Sequence, residues 1–463
     1  MKDVTNALVN MLVSTRYEDL SAQTIDTVRR STLDIMGCML AGSSVPECET
    51  LVRTFTKLGS ASGAHIVGRS SRMAAPWAAF VNATAGRALD MDDLYEPGQL
   101  HATVAVVPVL LALADVSDRL MSGREFIATV ATAIDLLGRL SVAPRQDSNI
   151  TGISHTYHFG TFAAAAAAAR ALGCDQNGVR NALGLALGMA GGTRQPNLEG
   201  VASIRVQQGW AAHSGLMAGL LATQGLQGPE AVFEGRFGYF NVYHPGGWDA
   251  GQLVDDLGKR FAVDALTIKF YPACKYAHGA IEAISNIQRR RPFQIGEVQR
   301  VRVRVPEISF SAVCQPEQAK RTPTTVPEAQ FSLPYLAAAT LVRGRMTVAE
   351  LEPSAIMSDD LRFWSKRVEI ERDDSLAKVP DALSAAAVEI ELTSGERLSE
   401  TVLGTVGDPQ RPCDFARVVE KVDNLLTASG ESVRAKLPAI VDILTSLESV
   451  SDMRVLGGLL EVS

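Results

Sequence analysis

The chain has 463 residues, of which 46% are hydrophobic and 21% charged, and its formal net charge is −7. That is the balance of a globular protein with a large core and, by length, roughly two to four domains. It lacks the basic excess expected of a nucleic-acid binder, an apolar run long enough for a membrane span, and a signal-peptide core at its start.

The first two hundred and sixty or so residues predict helices. "DVTNALVNMLV" opens the pattern. In "SAQTIDTVRRSTLDIMGCMLAG", Ser21 is placed as an N-cap, Ile25, Val28, Leu33, Met36 and Leu40 keep helical spacing, and Gly42 closes the end. "GREFIATVATAIDLLGRL", "GTFAAAAAAARALG", "QNGVRNALGLALGMAGG" and "GWAAHSGLMAGLLATQG" repeat it, with small residues that predict close packing. No GxGxxG, P-loop, GxSxG or HExxH is present.

Near residue 265 the pattern changes. "VQRVRVRVPEISF" alternates from Val298 onward, as do "RVEIERDD" and "AAVEIELTSGERLSETV", the last with a turn at Ser394–Gly395. A helical signal, "PEAQFSLPYLAAATLVRG", lies between them, and helical spacing returns after "GDPQRP". The expected architecture is therefore a large all-α domain from 1–264, a smaller α+β lid over 265–403, and a tail, 404–463, that rejoins the helical domain. Cysteines at 38, 48, 174, 274, 314 and 413 form no CxxC pair. Structural zinc and a disulfide framework are not expected, and a reducing cytoplasm is the simplest setting.

Four stretches carry candidate chemistry. "ALDMDDLYEPGQLH" places Asp90, Asp92, Asp93 and Glu96 ahead of His101 and a long apolar run. By itself it reads as a solvated turn, because Asp is mostly exposed; beside the other three it reads as a pocket wall. "ISHTYHFGTF" sets His155, Tyr157 and His158 at the start of the alanine helix, where an anion is favoured and a histidine can exchange protons with it. The i, i+3 histidines lack a third metal ligand at a standard spacing, so no metal is expected. "GGTRQPNLEGVASIRVQQG" offers Arg194 and Arg205 for carboxylates. "KFYPACKYAHGAIEA" crowds Lys269, Tyr271, Cys274 and His278 at the domain junction, where clefts form and a lysine beside apolar groups and another cation can serve as a base.

In order and spacing these stretches, with "GTFAAAAAAARALG", "GWAAHSGLMAGLLATQGLQGP", "PEAQFSLPYLAAATLVRG" and "GDPQRP", resemble the MmgE/PrpD family over nearly the whole chain. That family includes 2-methylcitrate dehydratase, cis-aconitate decarboxylase and iminodisuccinate epimerase. The resemblance implies a homodimer without metal or organic cofactor, acting on a small di- or tricarboxylate between helical domain and lid. It matches Asp93 and His101 to an acidic-histidine wall, His155 or His158 to a site histidine, and Lys269 and His278 to the lid motif. One stretch departs: many relatives read Lys-Arg-Leu-His where this chain has Ile204, Arg205, Val206 and Gln207.

Loss of a lysine and a histidine favours the reaction with the smallest demand for proton carriers. The expectation is an epimerase acting on an iminodicarboxylate such as iminodisuccinate. Lys269 and His155 would be its opposed proton carriers, with Cys274 as a weaker candidate base. Arg194 and Arg205 would clamp carboxylates, His158, Tyr157, Gln207, Cys274 and His278 would line the substrate site, and Asp93 would orient a histidine or lysine. The alternatives are a lyase of the same family, dehydratase or decarboxylase, and an inactive dicarboxylate-binding relative.

Overall fold

A computed structural model describes residues 3–59, 63–146, 148–377 and 383–462. Helix α1 (Ala22–Gly42) begins where the Thr24 N–H donates to Ser21 Oγ at 3.0 Å, the cap expected from the sequence. Helices α2 (Ala75–Ala88), α3 (Thr103–Val116), α4 (Gly123–Val142), α5 (His155–Ala171) and α6 (Ser203–Thr223) follow. The alanine helix α5 is buried from His155 to Ala169 and packs against α3, α4 and α6. Alanine has no bulk beyond Cβ, so neighbouring backbones come close. A Cβ added at Gly215 of α6 would stand 2.3 Å from Ala164 Cβ and 2.7 Å from the Thr161 carbonyl. Helix α6 starts at Ser203, so "IRVQQ" is its first turn and not a loop leading to it.

The smaller body is built on a four-stranded sheet. Its strands are β1 (Val298–Val305), β2 (Glu369–Arg372), β3 (Ala386–Leu392) and β4 (Arg397–Val402), in the order β2-β1-β3-β4. β1 and β2 are parallel; β1 with β3, and β3 with β4, are antiparallel. Alternation sorts the faces. Val301, Val303 and Val305 are buried, while Arg302 and Arg304 pair with Glu371 at 3.1 Å and Asp373 at 2.8 Å. β1 stops at Val305 because Pro306 opens a helix, Glu307–Val313, so "PEISF" does not continue the strand. Helix α7 (His278–Arg290) packs on β3 and β4, and α8 (Leu333–Arg343) packs on α7.

Helix α9 (Phe415–Ser429), capped by Asp414, lies along α1, where a Cβ at Gly37 would meet Val422 at 2.7 Å. There are two principal apolar cores. One draws on residues within 4–268 and 413–460, the other on residues within 273–402 and on Leu94. Leu94 and Tyr95 also pair antiparallel with Thr267 and Leu266. That two-residue ladder ties the turn after α2 to the segment entering Lys269, and so brings the acidic stretch and the lysine together. Among the described residues, no helix is long and apolar enough to cross a membrane.

Candidate active site

The chain reverses after α2 through Asp90, whose φ of 54° lies in the left-handed region that aspartate tolerates better than most residues. The turn delivers the Asp90 carboxylate to three groups. Lys269 Nζ is 3.0 Å from Oδ2, Arg87 Nη1 donates to Oδ1, and His101 Nε2 is 3.8 Å from Oδ1. Asp92 takes His101 Nδ1 at 3.0 Å and Arg87 Nη1 at 3.4 Å. All five side chains are buried. Burial pushes both carboxyl pKa values up, but the cations beside them win. Lys269, Arg87 and His101 hold Asp90 well below the usual range; His101 and Arg87 lower Asp92. For His101 burial and then Arg87 lower the pKa, against the pull of Asp92.

Asp93 does something else. It accepts from the Ala102 and Thr103 N–H groups at 3.3 and 3.0 Å and from Thr103 Oγ1, which makes it the anchor of the α3 N-terminus. The expectation that Asp93 orients a histidine or lysine is therefore corrected: that work falls to Asp90 and Asp92. Consecutive residues in the turn point to different sides, and only the fold decides which side faces the site.

A small cavity of about 90 Å³ opens over this network. Arg87, Asp90, His101, His155, Tyr157, Arg194, Lys269, Cys274, Lys275 and Tyr276 are among its lining residues. Ser154, His155, Thr156 and Tyr157 are the N-terminus of α5, so the positive end of a buried seventeen-residue helix faces the cavity. His158, one turn on, does not line it. Its ring binds the Gly192 carbonyl at 3.1 Å and the Tyr239 hydroxyl at 3.0 Å, and burial pushes its pKa down to about 4. Tyr157 donates to the Ile204 carbonyl at 2.6 Å, and burial raises its pKa to about 12.

Of the two arginines, Arg194 lines the cavity, with Nη1 on Ser148 Oγ at 3.1 Å. Arg205 does not. It is held by Glu47 and Gln330, each at 3.1 Å, outside the cavity, and its expected role as a carboxylate clamp is corrected. Gln207 also lies outside the lining. It brackets the backbone of Thr193, accepting from N–H at 2.7 Å and donating to the carbonyl at 3.1 Å, so it positions the residue next to Arg194. Ile204 packs with Tyr157 and Ala211.

The lid side contributes Lys269, Cys274, Lys275 and Tyr276. Burial, then Asp90, raises the Cys274 thiol to about 11, so it is a neutral wall and not a base. His278 is turned away from the cavity and holds the Ala273 carbonyl at 3.0 Å; it shapes the lid loop, where a direct substrate contact was expected. Two lining cations went unassigned in the sequence. Arg87 stands three residues before Asp90, a spacing that could have marked it. Lys275 is bound to Thr405 Oγ1 at 2.6 Å and to Asp408, partners 130 and 133 residues away that no local pattern announces.

Asp90, Asp92 and His101 bring ligand-type atoms within 4.8 Å of one another. Arg87 and Lys269 already set two positive charges against those two carboxylates. A divalent cation would have to share the carboxylates with both, so the donor set fits a metal poorly.

A model of the MmgE/PrpD N-terminal domain matches residues 6–250, and one of the C-terminal domain matches residues 271–444. The cis-aconitate decarboxylase-like protein oryM of Aspergillus oryzae is 27% identical, over 97% of this chain and 96% of its own. The cis-aconitate decarboxylase of Aspergillus terreus is 24% identical, over 97% and 94%. That of Mus musculus is 25% identical, over 100% and 94%. With both domain models matched in order along one chain, this protein belongs to the MmgE/PrpD family.

Proposed function

We propose that the chain is a lyase that decarboxylates a small unsaturated tricarboxylate of the cis-aconitate type. One observation carries this reading. In a chain of net charge −7, the described lining of one small cavity holds four cationic side chains, Arg87, Arg194, Lys269 and Lys275, and two histidines, against the single carboxylate of Asp90. Such a lining suits a polyanion that must be held while charge moves within it. The similarity to cis-aconitate decarboxylases points the same way.

The chemistry follows from the substrate class. Loss of CO₂ from the carboxymethyl arm leaves an electron pair that shifts through the double bond to the carbon beside another carboxylate. A proton delivered to that carbon completes the product. Arg194 and the α5 N-terminus hold carboxylates that stay. Lys269 and Arg87, tied down by Asp90, oppose the charge that builds on the enediolate-like intermediate without having to reorganise. His155 donates the proton, and His101, oriented by Asp92, keeps the opposite wall polar.

The epimerase reading rested on the replacements at 204 and 207. Neither Ile204 nor Gln207 is in the described cavity lining, so the replacements do not by themselves favour the epimerase. The test is direct: incubate the purified protein with cis-aconitate and measure CO₂ release. Lys269→Ala should lower kcat by roughly 10²–10⁴-fold. No CO₂ from the wild type, together with deuterium uptake at Cα of an iminodicarboxylate in D₂O, would replace this reading with the epimerase.

A further inference from the structure

His244 stands beside His155, and nothing in the chemistry above uses it. It follows a short helix, Tyr239–Tyr243, and its side chain is 1% exposed. Neither ring nitrogen has a hydrogen-bond partner among the described residues. A neutral imidazole carries one donor and one acceptor, and leaving both unmet in a buried position has a cost that a phenylalanine would not incur. Burial pushes its pKa down to about 4.

The surroundings are aromatic. The ring centroids of Tyr239, Phe240 and Phe159 lie 5.7, 5.8 and 6.4 Å away. The fourth neighbour is His155, at 5.6 Å and an angle of 70°. The titratable groups facing His244 are thus His155 and His158 from α5, and Tyr239 and Tyr243 from its own segment; His158 is already bound to Gly192 and Tyr239. Pro245 and Gly246, the next two residues in the chain, are exposed.

Decarboxylation consumes one proton in each turnover. A buried donor must be recharged from solvent before it can act again. We propose that His244 is the residue through which His155 is recharged, passing a solvent proton across the 5.6 Å ring separation through one bridging water. The step balances: one imidazole nitrogen of His244 takes a proton from water while the other releases one to His155. His155 gives one to the carbanion, CO₂ leaves, and nothing is oxidised or reduced. His244 acts through His155 and is a positioning residue in the proton path. The inference rests on the decarboxylase reading for its purpose and for its kinetic test, but not for its exchange measurement.

The variant is His244→Phe, which keeps an aromatic ring in the pocket and removes both nitrogens. With cis-aconitate, kcat should fall at least about tenfold with little change in KM, and the kcat–pH profile should shift. A purely structural histidine predicts the reverse: unchanged kcat and pH profile, and a higher Tm. That result would overturn the proposal. Should His244→Phe fail to fold, His244→Gln takes its place with the same readouts. A second measurement needs no turnover. In ¹⁵N-histidine spectra, solvent exchange of the His155 ring N–H should slow about tenfold in the variant; equal exchange in both proteins overturns the relay even if the reaction proves to be a different one.

Discussion

Asp90 and Asp93 are three residues apart and equally buried, yet they face opposite energetic problems. Asp90 is surrounded by Lys269, Arg87 and His101; Asp93 has hydrogen bonds but no cation, and burial raises its pKa to about 7. Asp90→Asn should therefore destabilise the protein by about 3–5 kcal/mol, because Lys269 and Arg87 would lose a charge partner in the interior, and should abolish turnover; urea melts and CO₂ assays check both. Asp93→Asn should keep most activity and change a pH dependence instead. An unfolded aspartate has a pKa of about 3.9, so between that value and about 7 the folded chain holds a proton that the unfolded chain releases. The stabilising share is complete below the unfolded value and disappears as pH rises through the folded one. Tm measured from pH 5 to 8 should fall with rising pH more in the wild type than in Asp93→Asn; equal slopes would refute this account of Asp93.

At the scale of elements, the site is made by the ends of helices and by the strap that crosses them. Helix α5 presents His155 to the cavity and turns His158 to the Gly192 carbonyl and Tyr239. His158→Phe should thus cost about 1–3 kcal/mol through the orphaned carbonyl and hydroxyl while kcat stays near the wild-type value, whereas His155→Gln should remove turnover without a comparable change in Tm. The strap at 192–194 is held by Gln207 of α6. Gln207→Ala frees the backbone beside Arg194 and should raise KM for a polycarboxylate about tenfold with a smaller effect on kcat, the pattern of lost substrate binding; steady-state kinetics at fixed pH separates the two. Much of this level was legible. The alanine run announced a tightly packed helix, and the histidines before it marked an anion-facing N-terminus. Which histidine faced inward was not legible, because i and i+3 lie close on one helix and the choice depends on what α6 and the 239–243 segment place beside them.

Across the whole molecule, helix α9 braces the turn that holds Asp90 and Asp92. Lys421 of α9 pairs with Asp34 of α1 and donates to the Met91 carbonyl at 2.8 Å, between Asp90 and Asp92. Burial raises the Asp34 carboxyl to about 6 even with Lys421 against it. Lys421→Met should destabilise by about 3–5 kcal/mol and lower activity as well, since it leaves a buried carboxylate alone and releases the turn; a Tm equal to the wild type would show that the tail is dispensable. The sequence by itself determined the helical periodicity of the first part, the alternating strands, the small-residue helices and the residue types that line the proposed polyanion site, because these follow from spacing and side-chain chemistry within a few residues. The tertiary structure alone decided that Asp90 and Asp92, not Asp93, hold the histidine and the lysine, that Arg205 and Gln207 are scaffold, and that Lys275 belongs to the cavity. Those assignments depend on charges brought together from across the chain, and in a buried site the nearest opposite charge, whatever its distance in sequence, sets what each side chain can do.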